Sequence, residues 1–204
     1  IKEIAAGETY VYSMPWIPSL NIDFTVHMDG LSLLFALLIT GVGTLVSLYS
    51  VYYLSKTREP LNNFYIYLLL FMGAMLGLVF ADNILVFYGF WELTSISSFL
   101  LIAFWYERKG SRAGALKALN ITVFGGLAML GGFLMLAVAT NTFSILEMVA
   151  VTDHLQAHPL FVPAMILVLL GAFTKSAQFP FGIWLPDAME APTPVSAYLH
   201  SATM

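Results

Sequence analysis

The chain has no cysteine and very little charge. Without a thiol, disulfide bridges, thiolate metal sites and cysteine-ligated cofactors are excluded from these 204 residues. Only 10% of the residues are charged and 59% are hydrophobic, whereas soluble domains carry about a quarter charged residues. That deficit excludes an ordinary soluble surface. A net charge of -4 also supplies no basic footprint for nucleic acid.

What fills the space left by charge is long apolar sequence. Five runs, at about 31 to 54, 64 to 81, 84 to 106, 115 to 138 and 160 to 185, are followed by a sixth that begins near 194. Each is long enough to cross about 30 Å of hydrocarbon at roughly 1.5 Å per residue. They predict an all-α polytopic membrane protein with about five transmembrane helices plus the start of a sixth. Residues 1 to 30 mix Pro15, Pro18, Asp23 and Asp29 with Tyr10, Tyr12 and Trp16, which predicts an extracytoplasmic, interfacial loop whose aromatics suit the headgroup belt. The chain opens on Ile1 and stops at Met204 within an apolar stretch, as expected of a segment of a longer protein.

The cations orient these spans. Lys56 and Arg58 follow the first, and Arg108, Lys109, Arg112 and Lys117 lie between the third and fourth, while the turns at 81 to 83 and 141 to 159 carry no Lys or Arg. The positive-inside rule places the basic loops in the cytoplasm and the other two outside; of the cations, only Lys2 falls on the outer side. Gly73 and Gly77 form a GxxxG in the second span, and Gly125, Gly126, Gly131 and Gly132 line the fourth, so close helix contacts are expected there.

Inside the spans only Glu92 and Lys175 are charged, with His200 near the start of the last segment. A charged side chain at a helix centre costs roughly 2.5 to 3.5 kcal/mol on insertion scales, so each needs compensation. Counting residues puts Glu92 about 12 Å and Lys175 about 22 Å from the outer end, and His200 about 9 Å from the inner end of a helix capped by Thr193. Pro180 offers no N–H to the carbonyl of Ser176 and predicts a broken helix, and irregular backbone at membrane depth marks ion sites in transporters. Thr174, Ser176 and Gln178 flank Lys175 with further hydrogen-bonding groups. Three plainer readings compete: Lys175 snorkelling to the inner headgroups, a Glu92–Lys175 pair that only orients two helices, and His200 as a satisfied core histidine. Asp82 or Asn83 caps the third span, and Asp187 belongs to a proline-bounded turn.

The stretches "HMDGLSLLFALLITGVGTLVSLYSVYYL", "ADNILVFYGFWELTSISSFLLIAFW" and "TKSAQFPFGIWLPDAMEAPTPVSAYLHSATM" resemble the antiporter-like family shared by Mrp-type multi-subunit sodium/proton antiporters, respiratory complex I and membrane-bound hydrogenases. Within it, "FWELTSISSFL" is similar to the A-subunit branch of the Mrp antiporters. The resemblance implies that Glu92 is the family's transmembrane glutamate, Lys175 its broken-helix lysine and His200 the histidine of the next helix. It implies the first of two inverted repeats, the second being absent from this chain. It also implies a secondary transporter rather than an enzyme, moving Na+ and H+ without a bound cofactor, alongside other Mrp subunits in the bacterial cytoplasmic membrane. On this reading Lys175 accepts a proton, Glu92 sets its affinity and His200 receives it. A redox-driven pump of the complex I or hydrogenase type and a purely structural membrane scaffold are the alternatives.

Overall fold

The structure, a computed structural model, describes residue 4 and residues 7–18, 22–55 and 60–203. Lys2, Lys56 and Arg58 lie outside the described residues.

The segment expected to be a loop contains an antiparallel β-hairpin, β1 (Tyr10–Ile17) and β2 (Ile22–Met28). Both strands are rich in aromatic and β-branched residues, which suit a pleated surface. The Ser13 and Thr25 hydroxyls pair across the ladder at 2.9 Å, and the register slips between Pro15 and Ile17, where proline has no N–H to donate. The amide of Asp82 donates to the carbonyl of Thr25 at 3.0 Å, tying the hairpin to the turn between the second and third helices.

The helices follow as α1 (Gly30–Tyr53), α2 (Leu61–Phe80), α3 (Ile84–Ile102), α4 (Lys109–Thr140), the short α5 (Ile145–Ala150) and α6 (Thr152–Gln156), α7 (Phe161–Lys175), α8 (Leu185–Ala188) and α9 (Thr193–Thr203). Single 3-10 turns, Ala103–Trp105 and Phe181–Trp184, follow α3 and precede α8. Among the described residues, four helices, counting α3 with its 3-10 extension, are long and apolar enough to cross a membrane. The chain is a helical, polytopic membrane domain. α4 begins at Lys109, ahead of the expected boundary at 115, because "KGSRAGALKALN" has no proline and its Ala, Leu, Lys and Arg residues favour a helix despite Gly110 and Gly114; it runs for 32 residues.

Packing inverts the soluble pattern. On α1 the buried residues are Ser32, Ile39, Gly43, Val46 and Ser50, while Leu34, Leu38, Leu45, Leu48 and Tyr52 are exposed. In a bilayer the tails solvate leucine as well as a core does, so small residues take the helix contacts. Of the GxxxG in α2, only Gly77 is at a contact, against the ring of Phe90 on α3; Gly73 faces open space.

Caps set the N-terminal ends of α1 and α3. The Asp29 carboxylate accepts from the backbone N–H of Ser32 at 2.8 Å, and the Ser32 hydroxyl accepts in return from the Asp29 amide at 2.8 Å, a capping box at the start of α1. The Ser32 amide, more than any charge, holds the Asp29 carboxyl below the usual carboxylate range. A depressed folded value means the contribution is present above the unfolded value of about 3.9 and is lost as pH falls through the folded one. Asp29→Ala is expected to cost about 0.5–2 kcal/mol near neutral pH and Asp29→Asn much less, read as thermal midpoints of the detergent-solubilised protein; equal losses would show that the cap contributes nothing.

Asn83 caps α3, accepting from the amides of Leu85 and Val86. Asp82 instead accepts from the Ser144 hydroxyl at 2.6 Å and the Leu146 amide at 2.9 Å, joining the turn before α3 to the turn before α5. With both oxygens engaged, Asp82 is structural, and Asp187 is likewise held at 2.8 Å by Lys117.

Candidate functional site

Four elements build the site: α3, α4, α7 and α9. α4 and α7 approach closely because glycines remove side chains from their seam. A Cβ on Gly132 would stand 2.6 Å from the carbonyl oxygen of Ala164 and 3.0 Å from the amide of Val168; one on Gly171 would stand 2.7 Å from the carbonyl of Gly125. This seam holds the end of α7 against the bundle.

α7 stops at Lys175, five residues before Pro180, so the expected position of the break is corrected. The cause is a C-terminal cap: Ala177 takes the left-handed conformation at φ 52°, and the Gln178 amide donates back to the carbonyl of Phe173 at 3.0 Å, the six-to-one bond of a Schellman motif. At 15 residues, α7 reaches only about 22 Å, short of the roughly 30 Å of hydrocarbon. The chain continues as an irregular segment in which Ser176 and Ala177 are half-buried and Gln178, Phe179 and Pro180 are exposed. Trp184 Nε1 donates to the freed carbonyl of Thr174 at 3.0 Å, as backbone at membrane depth requires.

Lys175 does not snorkel. Its side chain is buried, 8% exposed, and turns across to α3. Nζ donates to Thr94 Oγ1 at 2.8 Å and Ser95 Oγ at 2.7 Å, with a longer contact of 3.5 Å to the carbonyl of Trp91. The Trp91 ring centroid lies 5.1 Å from the same nitrogen, within cation–π range. An ammonium has three donors, and here all three meet uncharged oxygens.

The expected Glu92–Lys175 contact is not made. The only ion pair among the described residues is Lys117–Asp187. Glu92 points about 100° around α3 from its neighbour Trp91, toward Gly126 of α4, where any Cβ would collide with its Oε1. Glu92 Oε1 and Trp91 Nε1 are buried without hydrogen-bond partners.

The flanking groups named from sequence also look elsewhere. Thr174 Oγ1 donates to Gly171 O at 2.8 Å, Ser176 Oγ donates to Ala172 O at 2.9 Å, and Gln178 is exposed. The groups that hold the ammonium are Thr94, Ser95 and Trp91, which sequence reading missed. Their signal is positional: Trp91, Thr94, Ser95, Ser98 and Ile102 fall at three- and four-residue spacing on one stripe of α3, and the hydroxyls in it are unusual for a span.

His200 is half-buried on α9, and a void of about 20 Å³ separates it from Lys175, with Ser98, Thr122 and Trp184 among its walls. That is room for about one water. Lys175 and His200 thus face one space, while Glu92 does not line it.

The family described as "NADH:quinone oxidoreductase/Mrp antiporter, TM" matches residues 81–204, and the one described as "NADH-Ubiquinone oxidoreductase (complex I), chain 5 N-terminus" matches residues 14–65. The chain is 67% identical over 200 residues to the A subunit of the Na(+)/H(+) antiporter of Alkalihalophilus pseudofirmus, covering 98% of this chain and 25% of that protein. It is 61% identical over 204 residues to the A1 subunit of the Na(+)/H(+) antiporter of Staphylococcus aureus, covering 100% of this chain and 25% of that one. A solved structure of the Mrp complex from Dietzia sp. DQ12-45-1b superposes with a TM-score of 0.89 at 39% identity, covering 96% of this chain and 21% of its counterpart. The chain spans about a quarter of the length of the curated relatives it matches.

Proposed function

The chain belongs to the NADH:quinone oxidoreductase/Mrp antiporter family of membrane proteins, and from that premise we propose that it forms the lysine-bearing part of the A subunit in a multi-subunit Na+/H+ antiporter. Its partners are the other subunits of such a complex and the lipid of a bacterial cell membrane. It transports ions without covalent chemistry and without a resident cofactor.

One observation carries the reading: the buried Lys175 amine rests on two hydroxyls rather than on a carboxylate. A hydroxyl accepts from an ammonium and, once its own proton turns from the Trp91 carbonyl that now receives it, donates to the lone pair of a neutral amine. Thr94 and Ser95 therefore support Lys175 before and after it gives up its proton, where a direct carboxylate contact would hold the charged form. Glu92 acts through space. Its charge favours the ammonium, and neutralising or withdrawing it frees the proton toward the void shared with His200. Imidazole suits the next step because its unperturbed pKa of about 6.5 lies near working pH. The driving force is the proton motive force, about 2.3 kcal/mol per charge per 100 mV.

Glu92→Gln tests the role of the carboxylate, because it keeps the shape and removes the charge. In vesicles of the assembled complex, the pH profile of Na+-dependent proton exchange is expected to move; a profile unchanged over a wide pH range would reduce Glu92 to a packing group. A redox-driven pump is the second reading, favoured by the complex I description matched at residues 14–65. It requires flavin or iron–sulfur subunits, so visible absorbance in the purified complex separates the two.

A further inference from the structure

Glu92 and Lys175 do not touch, but the indole of Trp91 is close to both. Its ring centroid lies 5.1 Å from Lys175 Nζ. Its Nε1 would stand 3.5 Å from a Cβ on Gly126, at the same point that Glu92 Oε1 would collide with. Phe87 stacks on the ring, with centroids 6.1 Å apart and planes at 25°, and itself meets Phe133 of α4 edge to face at 5.7 Å. The indole is therefore held in its plane.

The two polar atoms beside Gly126 are complementary. Trp91 Nε1 is a donor only and an ionised carboxylate oxygen an acceptor only, and both are buried without a hydrogen-bond partner. Leaving such groups unpaired is costly. The carboxylate turns about a soft terminal torsion, and glycine at 126 leaves the meeting place open, so a small rotation joins them.

We propose that Trp91 couples Glu92 to Lys175: its indole N–H takes the Glu92 carboxylate beside Gly126, and its ring face passes the effect of that charge to the ammonium. The inference rests on the relay reading above and names the residue through which the carboxylate reaches the amine. Trp91 is a positioning residue and exchanges no proton itself.

An N–H bonds more strongly to an ionised acceptor than to a neutral one. Bonded groups polarise one another where the dielectric is low, so a charged Glu92 pushes electron density from the N–H edge into the ring. A more negative ring face attracts an ammonium more strongly, because that attraction is electrostatic. When Glu92 is neutralised, both interactions weaken together and the amine releases its proton more readily. Few other titratable groups share this region. Tyr88, one turn before Glu92 on α3, is hydrogen-bonded to its carboxylate. α4 carries none beside Gly126, its Lys109, Arg112 and Lys117 lying nearer its N-terminal end. α2 has only Tyr65 and Tyr67, near its start. On α9, His200 faces Lys175 across the small void, and the Tyr198 hydroxyl donates to the carbonyl of Ile39.

Trp91→Phe removes the N–H and keeps an aromatic face. In vesicles of the assembled complex, the alkaline limit of Na+-dependent proton exchange is expected to move to lower pH by about half a unit or more, in the same direction as with Glu92→Gln. The double variant is expected to move no further than Glu92→Gln alone, because both changes act on one link. Where Trp91→Phe fails to assemble, Gly126→Ala, whose Cβ fills the meeting place, replaces it. An unmoved profile, which a packing role for Trp91 predicts, overturns the coupling, and so do shifts that add. A second measurement does not depend on transport. In the ultraviolet resonance Raman spectrum of the purified complex, the difference between parent and variant isolates the N–H band of this indole. That band is expected to shift with pH in the parent and to stay fixed in Glu92→Gln; a band fixed in both overturns the coupling. A shifting band with Lys175→Ala still active would leave the coupling and sink the relay, whereas a fixed band with Lys175→Ala inactive would sink the coupling and leave the relay.

Discussion

Lys175→Ala is expected to bring cation–proton exchange in vesicles of the assembled complex down to the level of vesicles lacking it, a fall of more than about ten-fold, or about 1.4 kcal/mol on the barrier. The complex itself should survive. The substitution removes a buried charge together with its desolvation cost, and the Thr94 and Ser95 hydroxyls keep their bonds to the carbonyl of Trp91 at 2.7 and 3.3 Å. Lys175→Arg sharpens the test. Guanidinium keeps the positive charge but does not release its proton in proteins. A scaffold or a charge-only role predicts that arginine restores exchange, whereas the relay predicts that arginine fails as alanine does. Exchange retained by either variant, with the complex present in normal amount by quantitative immunoblot, would reject the proposed role of Lys175.

Gly132→Val is expected to destabilise the protein by about 3 kcal/mol or more, at or beyond the upper end for overpacking. An added Cβ would strike Val168 Cγ2 at 2.8 Å and two backbone atoms, the carbonyl oxygen of Ala164 at 2.6 Å and the amide nitrogen of Val168 at 3.0 Å. A side chain can swing aside, but the backbone atoms cannot move unless α7 separates from α4. Gly131 is the internal control, because a Cβ there would meet only Leu167 Cδ1, at an ordinary 3.7 Å. The same residue type changed one position apart should thus give opposite outcomes. Recovery of the solubilised complex by gel filtration after graded heating reads the difference. Equal losses for Gly131→Val and Gly132→Val would mean that the seam does not pack as described. The seam matters for function because it carries Lys175 at its end.

Much of the fold was legible in the sequence because membrane insertion is a local matter. Hydrocarbon penalises charge residue by residue, so the long helices could be read from run length, and only the groups with a reason to be buried stood out within them. Boundaries shifted where no local signal marked them. α4 starts earlier than hydropathy indicates, since Lys109, Arg112 and Lys117 are good helix formers that hydropathy counts as loop. The hairpin is hidden in the sequence because Pro15, Pro18, Asp23 and Asp29 give the segment a loop-like composition, although its two strands, Tyr10–Ile17 and Ile22–Met28, are neighbours in the chain. α7 ends before Pro180 because Ala177 adopts a left-handed conformation that alanine does not advertise.

Run length and the positions of the few charges are enough to establish a multi-span membrane domain, to say which loops carry the positive charge, and to mark Glu92, Lys175 and His200 as groups that need company inside it. Tertiary structure alone decided what company they keep. Lys175 and Thr94 are 81 residues apart in the chain, and they meet only because glycines bring α4 and α7 together and set the end of α7 beside one stripe of α3. A single residue step turns a helix by about 100°, enough to aim Thr94 and Ser95 at the amine and Glu92 at Gly126. Which face meets which neighbour is a property of packing, and no local pattern encodes it.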